Sequence, residues 1–209
     1  MCGNNYDATR QIVGGEFRYR RTGVLGIEKN TQGAVPVALL LQQLGINLRG
    51  YHKVALAPSY DLEPLAGVNL PVCETDFVAI ENLTYPDKAA FIIGECNDEG
   101  DRIDENDINN LKQIADAIPR QRFSPYVLLA RLSPFSAEEI ALARTLNTKY
   151  EKRAILLSQR ELEPYYIYER VNKERGTRYY GGTAKEMART TAAIYFAESA
   201  EVTDQGPSK

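Results

Sequence analysis

The 209-residue chain has no tryptophan, one histidine and two methionines, and its three cysteines are Cys2, Cys73 and Cys96. The cysteines form no CxxC pair and His52 stands alone, so a zinc centre is not expected. A sparse, odd cysteine count fits a reducing compartment, and the expected location is the cytoplasm. No apolar run approaches the roughly eighteen residues of a membrane-spanning helix, so no membrane partner is expected. The opening MCGNNYDATRQ lacks the basic-then-apolar pattern of a secretory signal. Neither a GxxxxGK phosphate loop nor a GxGxxG turn occurs, and no nucleotide cofactor is expected. No internal repeat or low-complexity tract is visible.

What is present is ordinary for a globular domain: 44% apolar residues, 25% charged residues and a net charge of −3. That net charge does not advertise nucleic-acid binding, but the charges are unevenly placed. Arg10, Arg18, Arg20 and Arg21 crowd the N-terminal arm around Phe17 and Tyr19. Arg170, Lys173, Arg175 and Arg178 form a second basic stretch before Tyr179 and Tyr180, and acids gather around 95–107. The bland reading of each stretch is a solvated face. The sharper one is two phosphate-contacting edges flanking an acidic, metal-binding centre.

Residues 11–28 read as strand or hairpin. Residues 34–44, AVPVALLLQQL, read as a buried helix with Pro36 in its first turn and Gly45 at its end. A strand is expected near 52–57, then a loop over 58–71 marked by Pro58, Pro64, Gly67 and Pro71. Strands return at 72–81 and 89–96, joined by the turn-forming NLTYPD. Ile108, Leu111, Ile114, Ala115 and Ile118 recur at helical spacing, so a helix is expected over 104–118 with Asp104 as N-cap and Pro119 beyond its end. Buried strands follow at 125–132 and 153–158. Between them Ser136 and Glu139 form a capping box for a helix reaching about Asn147. Residues 161–171 read as helical, and Thr183 with Glu186 opens a last helix through about Ala197. This order predicts an α/β fold, a mixed β-sheet flanked by helices. Three antiparallel strands come first, and two more join by parallel crossovers.

Glu95 and Asn97 lie two apart on one strand and share a face; Asp76 lies on the preceding strand. If those strands pair, Asp76 and Glu95 approach across the ladder, where two carboxylates repel unless protonated, hydrogen-bonded or bridged by a cation. Oxygen ligands of this kind suit Mg²⁺ or Mn²⁺, and the carbonyl of Cys96 can add another. Alternatively the two are strand-end acids paired with arginines. The Cys96 thiol points to the opposite face and reads as core. The acids Asp98, Glu99, Asp101, Asp104 and Asp107 lack EF-hand spacing and read as a solvated turn. His52 reads as a satisfied strand residue, and Tyr165, Tyr166 and Tyr168 as packing.

The segment Phe91-Ile92-Ile93-Gly94-Glu95-Cys96-Asn97 resembles the ExK strand of PD-(D/E)xK nucleases, and Asp76, nineteen positions earlier, resembles that family's first acid. The helix, three strands, helix, strand order is also similar to the family core, as is IDENDINNLKQIADAI to the helix after the ExK strand. The resemblance covers roughly 30–158. It implies a restriction-endonuclease-like core over 30–160, an N-terminal arm or hairpin over 1–29, and a C-terminal helical extension and frayed tail over 161–209. It also implies Mg²⁺ or Mn²⁺ at Asp76, Glu95 and Cys96, with Asp76, Glu95 and Asn97 as catalytic positions. Gln32, just before the first helix, is the nearest match to the family's accessory acid or amide, and otherwise is only a polar residue at a helix start.

Asn97 departs from the pattern, because the family has Lys there and an amide supplies no ammonium. Lys112 and Lys88 are candidates to reach in instead. The resemblance and this departure leave two functions. One is a metal-dependent endonuclease cleaving DNA phosphodiester bonds, weakened by Asn97. The other is a catalytically inactive nuclease-like module that binds nucleic acid or a protein partner. The expected partner is DNA, held through Arg18, Arg20 and Arg21, with a homodimer or another protein partner as further expectations. A third class, an unrelated α/β hydrolase or transferase, has little support around a single histidine.

Overall fold

The computed structural model describes residues 31–48, 53–62, 73–82, 88–97, 102–162 and 165–197. The arm with Arg18, Arg20 and Arg21, together with His52, Asp98, Glu99, Asp101, the turn at 83–87 and the tail beyond 197, lies outside the described residues.

The elements are α1 (Thr31–Asn47), β1 (Lys53–Leu62), β2 (Cys73–Asn82), β3 (Ala89–Asn97), α2 (Glu105–Ala117), β4 (Phe123–Arg131), α3 (Ala137–Arg144), β5 (Ala154–Leu157), α4 (Gln159–Leu162), α5 (Glu169–Arg175) and α6 (Ala184–Tyr195). Among the described residues five strands form one sheet in sequence order. β1, β2 and β3 are antiparallel neighbours, and β4 and β5 then add parallel to β3. The fold is therefore α/β, a mixed sheet flanked by helices, as the alternation of patterns predicts.

Two apolar layers cover the sheet. On one face Phe77, Ala79, Ile92, Cys96 and Leu128 pack with Leu40 and Leu44 of α1, Leu48 just beyond it, and Met187 and Ala188 of α6. On the other, Ile93, Val127, Leu129 and Leu156 pack with Ile108, Leu111 and Ile114 of α2 and Ala143 of α3. The period-2 alternation of the strands separates these layers. The C-terminal elements are built into the first layer: Leu162, Ile167 and Tyr168 are buried in it. Among the described strands β5 lies at the other edge of the sheet, and α6 covers it, with the Leu156 N–H donating to Thr191 Oγ1 at 3.1 Å. The Tyr195 ring reaches round to meet Phe135 edge-on.

Several boundaries differ from those expected of the sequence. β1 runs to Leu62 through Pro58, a residue that locally signals a loop; among the described strands β1 is the outermost, where a missing N–H is tolerated. α1 starts at Thr31, so Pro36 lies inside it, and it continues past Gly45. Tertiary bonds hold that extra turn: Gln43 Nε2 donates to the Leu162 carbonyl at 2.8 Å, and Asn47 Oδ1 accepts from the Ile167 N–H at 3.1 Å. α3 ends at Arg144 because Asn147 is used elsewhere, its Oδ1 accepting from the N–H groups of Arg153 and Ala154. The expected helix over 161–171 is two short ones, α4 and α5, divided by a left-handed Tyr168 at φ 67°. Tyr168 is fully buried, whereas Tyr165 and Tyr166 are exposed.

The caps on Asp104 and Ser136 form as expected, each with a reciprocal bond from the third residue. At α6 only the Thr183 side chain caps, accepting from the Glu186 N–H. A buried Glu81 adds an acceptor there, taking the Ala184 N–H at 2.9 Å and so tying β2 to the start of α6.

Candidate metal site at the fork of β2 and β3

β2 stays paired with β1 down to Leu62 opposite Cys73. Its ladder with β3 stops earlier, at Phe77 opposite Gly94. The sheet therefore forks at the C-terminal end of β3. Beyond the fork, side chains of β2 take over the exposed backbone of β3. Thr75 Oγ1 accepts from the Gly94 N–H at 3.2 Å and donates to the Gly94 carbonyl at 2.8 Å. Asp76 Oδ2 accepts from the Cys96 N–H at 2.6 Å. One register step past the last pair sets Asp76 opposite Glu95.

Gly94 sits at the root of the fork. A Cβ there would fall 1.9 Å from the Leu128 carbonyl oxygen and 2.5 Å from the Phe77 ring. Only glycine lets β3 pass between β4 and that ring.

Asp76 and Glu95 alternate with core residues so that both face the α2 layer. Burial pushes the Glu95 carboxyl up to about 8, aided by the negative charges of Asp76, Asp107 and Glu74. Asp76 is also raised, chiefly by burial, although the Cys96 N–H opposes this. Asp107 enters from the first turn of α2, where its Oδ2 accepts the Asp104 N–H at 2.9 Å, and burial raises it too. Asp107 and Glu74 are not recognisable as site residues from the sequence. Asp107 carries only a helix-capping signal, and Glu74 shows its place only through its spacing of two from Asp76 on a strand.

Asn97 ends β3, half-buried, on the face of Glu95 and opposite Arg131 of β4. Arg131 is buried and committed: its guanidinium forms a short ion pair with Glu139 and donates from Nε to Ser133 Oγ at 2.8 Å. Glu139 is a hub. It also takes the N–H groups of Ile103 and Ser136, and although burial opposes it, these bonds and Arg131 hold its carboxyl low. Lys88 is at the other end of β3, with its ammonium on the Arg120 carbonyl, so it does not approach Glu95. Lys112 lies a turn and a half beyond Asp107 along α2, half-buried. Gln32 falls in the first turn of α1, and its side chain lies outside the described residues.

The Cys96 thiol is buried in the opposite layer, where burial pushes it far up, so it reads as core and not nucleophile. Of the second basic stretch, two members are paired on α5, Arg170 with Glu174 and Lys173 with Glu169. Among the described residues no group of three or more His, Cys, Asp or Glu side chains is drawn together as a ready metal cage. No helix among them is long and apolar enough to cross a membrane. Comparison with protein-family models, with curated proteins and with solved structures gives no match.

Proposed function

We propose that the chain is a metal-dependent endonuclease-like domain of PD-(D/E)xK type that hydrolyses DNA phosphodiester bonds, weakened by Asn97. The carrying observation is the fork. There Asp76 is fixed by the Cys96 N–H, and Glu95 is held beside it with a carboxyl pushed up to about 8. Such an arrangement holds a proton that a divalent cation can replace, which suits Mg²⁺ or Mn²⁺. Asp76 and Glu95 would be the ligands. The Cys96 carbonyl, on the same edge of β3 as its N–H, would supply a third oxygen. A bound cation there would acidify a water and offset charge on a phosphoryl group.

The chain's own residues govern the remaining chemistry. Asp76 keeps its position through one backbone bond, leaving Oδ1 free of that bond. Glu95, its carboxyl pushed up to about 8 by burial, holds its proton far more readily than an ordinary carboxylate. Asn97 can orient a water by its amide but brings no charge. The element order, with three antiparallel strands followed by a helix and a parallel strand, supports a restriction-endonuclease-like core.

A second reading is favoured by the charges around the site. Among the described residues the charges that act most on Glu95 are negative, and Arg131 is taken by Glu139. This supports a module that binds nucleic acid or a protein partner without cleaving. Isothermal titration of Mg²⁺ and Mn²⁺, with a plasmid-cleavage assay on the same protein, tests both. Metal binding lost in Glu95→Ala, with measurable cleavage, supports the nuclease. Metal binding without cleavage supports the binding module; the absence of both metal binding and cleavage rules out the nuclease reading.

A further inference from the structure

At the end of the sheet away from the fork lies a cavity of about 610 Å³, between the start of β4, the loop entering β5 and the outer face of α6. Its walls carry five cations: Arg120, Lys152, Arg153, Lys185 and Arg189. Two are pinned. Arg153 is buried and donates to the Leu146 carbonyl at 3.0 Å and to Asp116 at 2.6 Å. Arg120 holds Glu151 at 2.8 Å. Those bonds engage the carboxylates of Glu151 and Asp116. Lys152 and Arg189 are exposed and form no hydrogen bond or ion pair with a described residue. Lys185 and Arg189 are four apart on α6 and so project on one side. Like charges gathered in this way repel one another, and an anion relieves that repulsion.

The cavity also has aromatic surface. Tyr126 lines it as a mostly buried wall, and Tyr150, 87% exposed, stands at its edge with the Lys149 ammonium 5.6 Å from its ring centre. An exposed ring beside cations is a surface on which a base stacks while phosphates are held. The volume falls in the range of roughly 300–1,000 Å³ typical of small-ligand sites. Ser124 is five positions before Leu129, the register partner of Glu95, so at about 3.3 Å per residue the cavity is some 16 Å from the fork.

We propose that this cavity binds a nucleotide unit, its phosphates on Lys152 and Arg189 and its base on Tyr150. The unit is either a free nucleotide or the end of a nucleic-acid strand. The missing glycine-rich motifs are no obstacle, because side-chain cations replace the backbone N–H cradle that such motifs build.

The test is fluorescence anisotropy with a labelled twelve-residue oligothymidylate, with thymidine diphosphate and pyrophosphate as competitors. It uses the full chain in EDTA, so metal chemistry at Asp76 and Glu95 contributes nothing. Saturable binding is expected. The Lys152→Glu, Arg189→Glu double variant changes only exposed side chains and should weaken binding at least tenfold. It should also flatten the dependence on log salt by about 0.7 for each phosphate left without its cation. Tyr150→Ala should weaken thymidine diphosphate at least fivefold and leave pyrophosphate unchanged. Competition by thymidine diphosphate as strong as by the oligonucleotide assigns a free nucleotide; competition by the oligonucleotide alone assigns a strand end. No saturable binding at low salt, or equal binding by the double variant with its circular dichroism intact, overturns the site. Equal competition by pyrophosphate and thymidine diphosphate, unmoved by Tyr150→Ala, overturns the nucleotide assignment. None of these outcomes bears on the fork, because no metal is present.

Discussion

The Asp76 carboxylate accepts the Cys96 N–H at 2.6 Å at the point where β2 and β3 cease to pair. One side chain thus does two things: it replaces a lost ladder bond, and it brings a negative charge to Glu95.

Those two roles separate by substitution. Asp76→Asn keeps an acceptor for the Cys96 N–H, so its melting temperature should match or exceed that of the unaltered chain. Asp76→Ala leaves a part-buried donor unpaired and should cost about 1–3 kcal/mol in urea unfolding. Both should lose divalent-metal binding by calorimetry. Metal binding retained in Asp76→Asn would remove Asp76 from the site.

Glu95 makes stability depend on pH. Its carboxyl lies near 8 in the fold against an ordinary 4.5, so the folded state favours the proton. That contribution is fully present below about pH 4.5 and is lost as pH rises through about 8, at up to about 1.4 kcal/mol per pH unit. In EDTA the melting temperature should therefore fall between pH 5 and 8. Glu95→Gln should flatten the fall. Added Mg²⁺ should stabilise more at pH 8 than at pH 5, because it competes with the proton. An identical profile in Glu95→Gln would contradict the raised carboxyl.

Asn97→Lys supplies the missing ammonium at a half-buried strand end without touching the apolar part of β3. Plasmid cleavage should rise by roughly a hundred- to thousandfold, the usual worth of one electrostatic donor. Glu95→Ala in that background should abolish it. Full activity in the chain as it stands, unchanged by Asn97→Lys, would show that another cation serves, and Lys112→Ala is then the decisive variant.

The Arg131–Glu139 pair is buried on both sides and ties β4, α3 and the approach to α2 together. Glu139→Ala should destabilise by about 3–5 kcal/mol, since it leaves a buried guanidinium without its partner. A loss below about 1 kcal/mol in chemical unfolding would show that water reaches Arg131.

Gly94→Ala puts a methyl against the Leu128 carbonyl and the Phe77 ring, so β3 must move away from β4. The variant should be strongly destabilised and should lose metal binding with it. A near-native melting temperature would mean that the fork has more room than described.

The sequence by itself determined the element order and the two layers of the core. Those depend on patterns that are local: alternation along β2, apolar runs in β3 and β4, and helical spacing at Ile108, Leu111 and Ile114. It also determined the caps at Asp104 and Ser136, whose partners lie within three residues. Tertiary structure alone decided where β1 ends, because Pro58 is tolerable only on an outer strand and position in the sheet is not a local property. It decided the length of α1 in the same way, through Gln43 and Asn47 bonds to residues some 120 positions away. Asp76 and Glu95 could be placed on neighbouring strands from their pattern. The fork between them, the entry of Asp107 from α2 and the commitment of Arg131 to Glu139 arise from register and packing, which join residues that no local spacing relates.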